Sequence, residues 1–174
     1  MSQCYAIELS QNLSRDCFIC GVENRSGVKT RFYQTRNKEV IARFTLPAEH
    51  QSYPGIAHGG ISAAILDETI GRAIMAYHDQ STFGVTLDLH MRYRRPVPLG
   101  TTLHAIGRVT SEQGRTFEGT GELLLPDGRV AVSAYGKYIK RRADQITESN
   151  FATEAWFAPE EPTPARLEIA GVDE

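Results

Sequence analysis

Little in this 174-residue chain would cross-link it, anchor it or charge it strongly. It has three cysteines, an odd number that makes no disulfide framework, so a reducing, cytoplasmic setting is expected. No segment is long and apolar enough to span a bilayer. The start, Met1-Ser2-Gln3-Cys4-Tyr5, lacks the basic stretch and apolar run of a secretion signal. No Gly-rich P-loop, no G-x-S-x-G and no dinucleotide fingerprint is found, which removes the usual sequence grounds for nucleotide-dependent or serine-hydrolase chemistry.

The net charge of −2 is small but unevenly spread. Residues 144–174 carry eight acids and one base, or −7, which leaves 18 bases and 13 acids, or +5, in residues 1–143. The expected organisation is one folded domain over residues 1–143 and an acidic, solvated, partly disordered tail over residues 144–174. A body of +5 is too weakly basic to argue for nucleic acid, yet it suits a small polyanionic ligand.

Residues 1–27 are mixed and rich in turn formers. Residues 28–35 and 39–46 read as strands, and residues 59–78 as the one long helix. From Phe83 to Arg94 apolar and polar residues alternate at strict period two, with Thr86, Asp88, His90 and Arg92 on the polar face. Strands follow over residues 101–110, 115–125 and 129–140, joined by Ser111-Glu112-Gln113-Gly114 and Pro126-Asp127-Gly128. Two strands, one long helix and a four-strand meander predict an α+β fold, with the helix covering one face of an antiparallel sheet.

The helix carries the chemistry. It is apolar almost all the way round, hence buried, yet Asp67 and Glu68 lie in its middle. Glu68 has Arg72 four residues on, the favourable order for an ion pair. Asp67 has Ala63, Ala64, Ile70 and Gly71 around it and no local partner, so either a distant group or a cleft must satisfy it. His58-Gly59-Gly60 opens the helix, where free backbone N–H groups and two side-chain-free residues suit an anion or a developing oxyanion. Arg92, Arg94 and Arg95, with Arg141 and Arg142, are candidate phosphate contacts. Cys17 and Cys20 form a C-x-x-C with no second pair. No metal and no cofactor is expected, and the two thiols read as small, partly buried side chains.

The run His58-Gly59-Gly60-Ile61-Ser62-Ala63-Ala64-Ile65-Leu66-Asp67-Glu68 resembles the HGG…LDE segment of PaaI-like hotdog-fold acyl-CoA thioesterases, in the 4-hydroxybenzoyl-CoA thioesterase superfamily. The segments 17–27, 50–57 and 85–96 resemble the same family, in the same order. The resemblance implies a hotdog fold, a long central helix wrapped by an antiparallel sheet, and hydrolysis of an acyl-CoA substrate. It implies Asp67 as the catalytic acid, the Gly60 N–H as donor to the thioester carbonyl, and Thr86 as a helper from the following strand. His58, Gly59, Glu68, Arg92, Arg94 and Arg95 would line the substrate. Ser52 stands where some relatives have Asn. The resemblance also implies a homodimer or a homotetramer (a dimer of dimers). The site would then lie at the subunit interface, with Thr86 of one subunit beside Gly60 and Asp67 of the other. A dehydratase, which would want a His paired with the acid, and a non-catalytic acyl-CoA binder are the alternatives within the same fold.

Overall fold

A computed structural model describes residues 2–171. Its strands are β1 (Ser2–Ser10), β2 (Leu13–Ser14), β3 (Arg31–Thr35), β4 (Val40–Thr45), β5 (Phe83–Tyr93), β6 (Thr102–Gln113), β7 (Thr116–Leu124), β8 (Val130–Arg141), β9 (Trp156–Phe157) and β10 (Arg166–Ala170). The helices are α1 (Gly59–Arg72) and the short α2 (Phe151–Glu154). One antiparallel sheet runs in the order β10-β1-β3-β4-β6-β7-β8-β5, and α1 packs across β4, β5, β6, β7 and β8. Strands β2 and β9 pair separately. This is the α+β hotdog architecture expected from the sequence. Among the described residues no helix is long and apolar enough to cross a membrane.

The core lies between helix and sheet. Ile65, Leu66, Ile70 and Ile74 are fully buried against Phe32, Leu103, Phe117 and Leu123, which explains the apolar circumference of the helix. The helix is shorter than its composition suggests. After Arg72 the chain tightens into a 3₁₀ turn over Ala73–Ala76, with Tyr77 N–H bonded to Ile74 O at 3.0 Å. A second cluster, Ile7, Ile41, Ile106 and Ile169, occupies the far face of the sheet. Residues 41 and 106 alternate there with Ala42 and Ala105 of the main core.

The end of the helix holds a buried charge. Arg72 is 4% exposed. Its guanidinium donates to Glu68 Oε1 from Nε at 2.9 Å and from Nη2 at 2.8 Å, and to the Asn12 carbonyl at 2.8 Å. It lies 4.2 Å from the Phe32 ring centre and 4.9 Å from that of Trp156, in stacking range for a cation on two aromatic faces.

The C-terminal segment corrects an expectation. Residues 144–171 are not a solvated tail outside the core. Strand β10 extends the sheet along β1, and Ile169 is 3% exposed. Trp156 donates to Gln80 O at 2.9 Å and stacks edge-on against Phe83, with ring centres 5.2 Å apart. The acids of this stretch face water while Phe151, Trp156, Leu167 and Ile169 turn inward. Net charge hid this division. Strand β1 was missed too, although Tyr5, Ile7 and Leu9 alternate with Ala6 and Glu8.

Two stability outcomes are expected. Deleting residues 144–174 should uncover Phe83, Arg72 and the far-face cluster and cost about 3 kcal/mol or more, since a fully buried large side chain is worth roughly 1.5–3 kcal/mol; a thermal midpoint unchanged by the deletion would contradict this. Glu68→Gln should cost about 2–3 kcal/mol in a denaturant titration. An exposed i,i+4 pair would cost only about 0.5 kcal/mol. Removing one partner of a fully buried pair costs about 3–5 kcal/mol, and the 22% exposure of Glu68 moderates that.

Candidate active site

Helix α1 runs antiparallel to β5. Tyr93 Oη donates to Gly59 O at 2.9 Å at one end, Thr86 meets Asp67 in the middle, and Gly84 lies against Gly71 at the other end. A Cβ on Gly84 would stand 2.7 Å from Gly71 O, so only glycine lets strand and helix approach there.

Asp67 is held by hydroxyls and not by a cation. Thr86 Oγ1 donates to Asp67 Oδ1 at 2.8 Å. Tyr138, fully buried on β8, donates from Oη to the same oxygen at 3.2 Å and to the Asp67 carbonyl at 3.3 Å. Burial, and then the Asp67 carboxylate, push the Tyr138 phenol well above its ordinary range, so it stays a donor. Among the described residues no side chain bonds the other carboxylate oxygen, which leaves it for water or substrate. Tyr138 escaped the sequence reading. Its signal was a tyrosine at a core position of a strand, where a buried hydroxyl needs a partner.

The Thr86–Asp67 bond corrects the expectation that Thr86 serves the acid of a second subunit, for it lies within one chain. Strict alternation along β5 puts Thr86 beside Asp88 and His90, but the strand bulges at Leu87. Thr86 pairs with Tyr138 whereas Asp88 pairs with Lys137, and then Leu89 with Gly136 and Met91 with Ala134. One extra residue reverses the facing of the strand. Gly84 and Thr86 therefore face the helix before the bulge, Leu89 and Met91 after it.

A cavity of about 390 Å³ opens beside Asp67. Its apolar walls come from Met75 of the 3₁₀ turn, from Phe83 and Val85 of β5, and from Ile146, Phe151 and Trp156 of the C-terminal segment. Asp67, Glu68 and Thr86 also line it, together with Cys17 and Cys20. Glu68 reaches it with Oε1 committed to Arg72. No histidine is among the lining residues.

The helix entry is arranged differently from expectation. His58 is the N-cap, and its Nδ1 accepts from the Gly60 N–H at 2.9 Å. The donor assigned to a carbonyl oxygen is thus already bonded, by an exposed ring. Gly60 and Asp67 are also far apart. Seven residues at 1.5 Å each separate them by roughly 10 Å along the axis. Arg92, Arg94 and Arg95 are exposed and flank the helix entry through Tyr93, and Arg95 bonds Val130 O at 2.7 Å. Arg141 pairs opposite Phe83, at the other end of β5, so the five arginines do not form one patch. Ser52 is exposed in the loop before the helix, where its N–H bonds Ile56 O at 2.8 Å.

A model of the thioesterase superfamily matches residues 54–132, from the loop before α1 into β8. Human acyl-coenzyme A thioesterase 13 is 26% identical over 102 residues, covering 59% of this chain and 71% of that protein. Acyl-coenzyme A thioesterase THEM4 of Rattus norvegicus is 27% identical over 100 residues, covering 54% of this chain and 42% of its own length; the match thus spans less than half of that relative. The crystal structure of a thioesterase superfamily protein superposes with a TM-score of 0.66 at 32% identity, covering 72% of this chain and 63% of that one. With the hotdog sheet, the central helix and the HGG…LDE run in place, the chain has the fold of these thioesterase-superfamily proteins and resembles that family over residues 54–132.

Proposed function

We propose that this protein is a cytoplasmic acyl-CoA thioesterase, hydrolysing a thioester to free CoA and a carboxylic acid. The observation that carries the reading is the Asp67 carboxylate, fixed by Thr86 and Tyr138 with one oxygen free, on the wall of a largely apolar cavity. The acyl chain occupies the cavity. Asp67 then activates a water or attacks the carbonyl carbon itself. Thr86 and Tyr138 hold the carboxylate in one orientation, so no reorganisation is needed at the reacting moment. The names of the relatives, acyl-coenzyme A thioesterases, support the substrate class, and Arg92, Arg94 and Arg95 near the helix entry suit the CoA phosphates. A dehydratase needs a histidine beside the acid, and none lines the cavity.

The oxyanion donor for Asp67 then comes from a second copy of the chain. Reacting atoms must lie within about 3.5 Å of each other, and a carbonyl polarised by Gly60 N–H stands too far from Asp67 of the same helix. The eleven-residue edge strand β5 supports such a pairing, because an edge presents unpaired backbone groups and Leu87 on it is 55% exposed. In the dimer each Asp67–Thr86 pair faces the partner's helix entry, and the carbonyl oxygen displaces the His58 ring from the Gly60 N–H.

Purified protein should release free thiol from at least one aryl, short-chain or medium-chain acyl-CoA, and Asp67→Asn should lower kcat by about 10² or more. Binding without thiol release across such a panel would mark a non-catalytic binder. Mixing tests the shared site. Asp67→Asn combined with Gly60→Pro, which removes the N–H at a helix position that tolerates proline, should regain activity in mixed dimers, since one of the two sites is then whole. Asp67→Asn combined with Thr86→Val should regain none, because both residues sit in one half-site. Recovery in the second mixture but not the first would reverse the assignment.

A further inference from the structure

Cys17 and Cys20 lack a second cysteine pair in the sequence, but the fold supplies a third ligand. Glu68 projects from α1 to the C-x-x-C loop, and the Cys17 and Cys20 sulfurs and a Glu68 carboxylate oxygen all lie within 4.8 Å of one another. The Cys17 Sγ to Glu68 Oε2 distance is 3.3 Å. Sulfur and oxygen ligands at about 2.3 and 2.0 Å from a tetrahedral zinc ion stand roughly 3.5 Å apart. The other oxygen of Glu68, Oε1, is held by Arg72, which leaves Oε2 turned to the thiols.

The loop is shaped to hold sulfur as thiolate. The Ile19 N–H bonds Cys17 Sγ at 3.3 Å. Cys20 Sγ accepts from Ser14 N–H at 3.4 Å and from Arg72 Nη2 at 3.1 Å. Gly21 follows directly, where a Cβ would stand 2.2 Å from Cys17 O, so the turn that brings the sulfurs together requires glycine. With two thiolates and Glu68, a divalent ion leaves one negative charge, which the adjacent Arg72 guanidinium offsets.

We propose that Cys17, Cys20 and Glu68 form a zinc site, with Arg72 holding Glu68 in orientation and donating to Cys20. Two sulfurs and one carboxylate select a soft to borderline cation such as Zn²⁺ over Mg²⁺ or Ca²⁺. All three ligands line the cavity, so the fourth position faces it and takes water. The ion would clip the N-terminal loop to α1, one residue from Asp67. The inference stands independently of thioesterase activity.

The test is metal uptake by the full chain, reduced and stripped with a chelator. One equivalent of Zn²⁺ should bind per chain by calorimetry and raise the thermal midpoint. Co²⁺ in its place should give the near-ultraviolet thiolate charge-transfer absorption of a two-sulfur site. Cys17→Ser should abolish that absorption, and Glu68→Gln should weaken zinc binding by at least about tenfold. Because Cys20 is buried and its replacement could unfold the loop, the cobalt spectrum of the wild-type protein is the deciding measurement. Absence of the band from the reduced protein at excess Co²⁺ overturns the site, as does zinc uptake that survives Cys17→Ser unchanged.

Discussion

The fold is organised around a buried positive charge, the guanidinium of Arg72. Arg72 ends the α-helix where the N-terminal loop, the central helix and the C-terminal segment meet. Glu68 neutralises it, the Asn12 carbonyl takes a second donor, and Phe32 and Trp156 cover its faces. A buried guanidinium left unpaired is strongly destabilising, so every element that supplies a partner is held in place by that demand. This is why residues of the acidic segment fold back. Trp156 sits on the guanidinium, and the chain on either side of it follows.

The same demand separates the two neighbouring carboxylates. One helical step turns the side chain by roughly 100°. Glu68 therefore points at Arg72 and the cysteine loop, while Asp67 points at β5 and β8. The pairing of Glu68 with Arg72 was legible in the sequence from i,i+4 spacing alone, as was the lack of a local partner for Asp67. The order of strands and the position of the helix were legible too, because period two and apolar content are local properties. What was not legible depends on non-local geometry. No feature of residues 83–94 announces the bulge at Leu87, and one inserted residue decides whether Thr86 faces Asp67 or solvent. Nor does spacing tell whether an i,i+4 pair is buried; that depends on Phe32 and Trp156, 40 and 84 positions away from Arg72 in the sequence.

Strand β5 carries three roles that compete for its residues. Toward the helix it supplies Gly84 for close packing and Thr86 for the carboxylate. On its other face Phe83 closes the cavity against Trp156. Along its free edge it exposes backbone that only another strand would satisfy. Regular alternation could not turn residues 84 and 86 toward the helix and still pack Leu89 and Met91 against the core. The bulge resolves the conflict at the cost of one unpaired residue, and Leu87 is the residue left outside.

The family match and the cavity walls divide along a physical line. Residues 54–132 include the helix entry, Asp67 and Thr86, the groups assigned to the reacting carbonyl. The walls that an acyl chain would touch come from both sides of that line: Met75, Phe83 and Val85 lie within the stretch, Cys17 and Cys20 before it, and Ile146, Phe151 and Trp156 after it. Catalytic groups tolerate little displacement, since reaction depends on distances of about 3–3.5 Å, whereas an apolar wall needs only shape and volume. On the proposed function, the shared stretch would account for the reaction and for part of the wall, and the flanking segments would complete the space that the acyl group fits. On that reading, acyl selectivity would depend in part on the segments that fold around the buried Arg72.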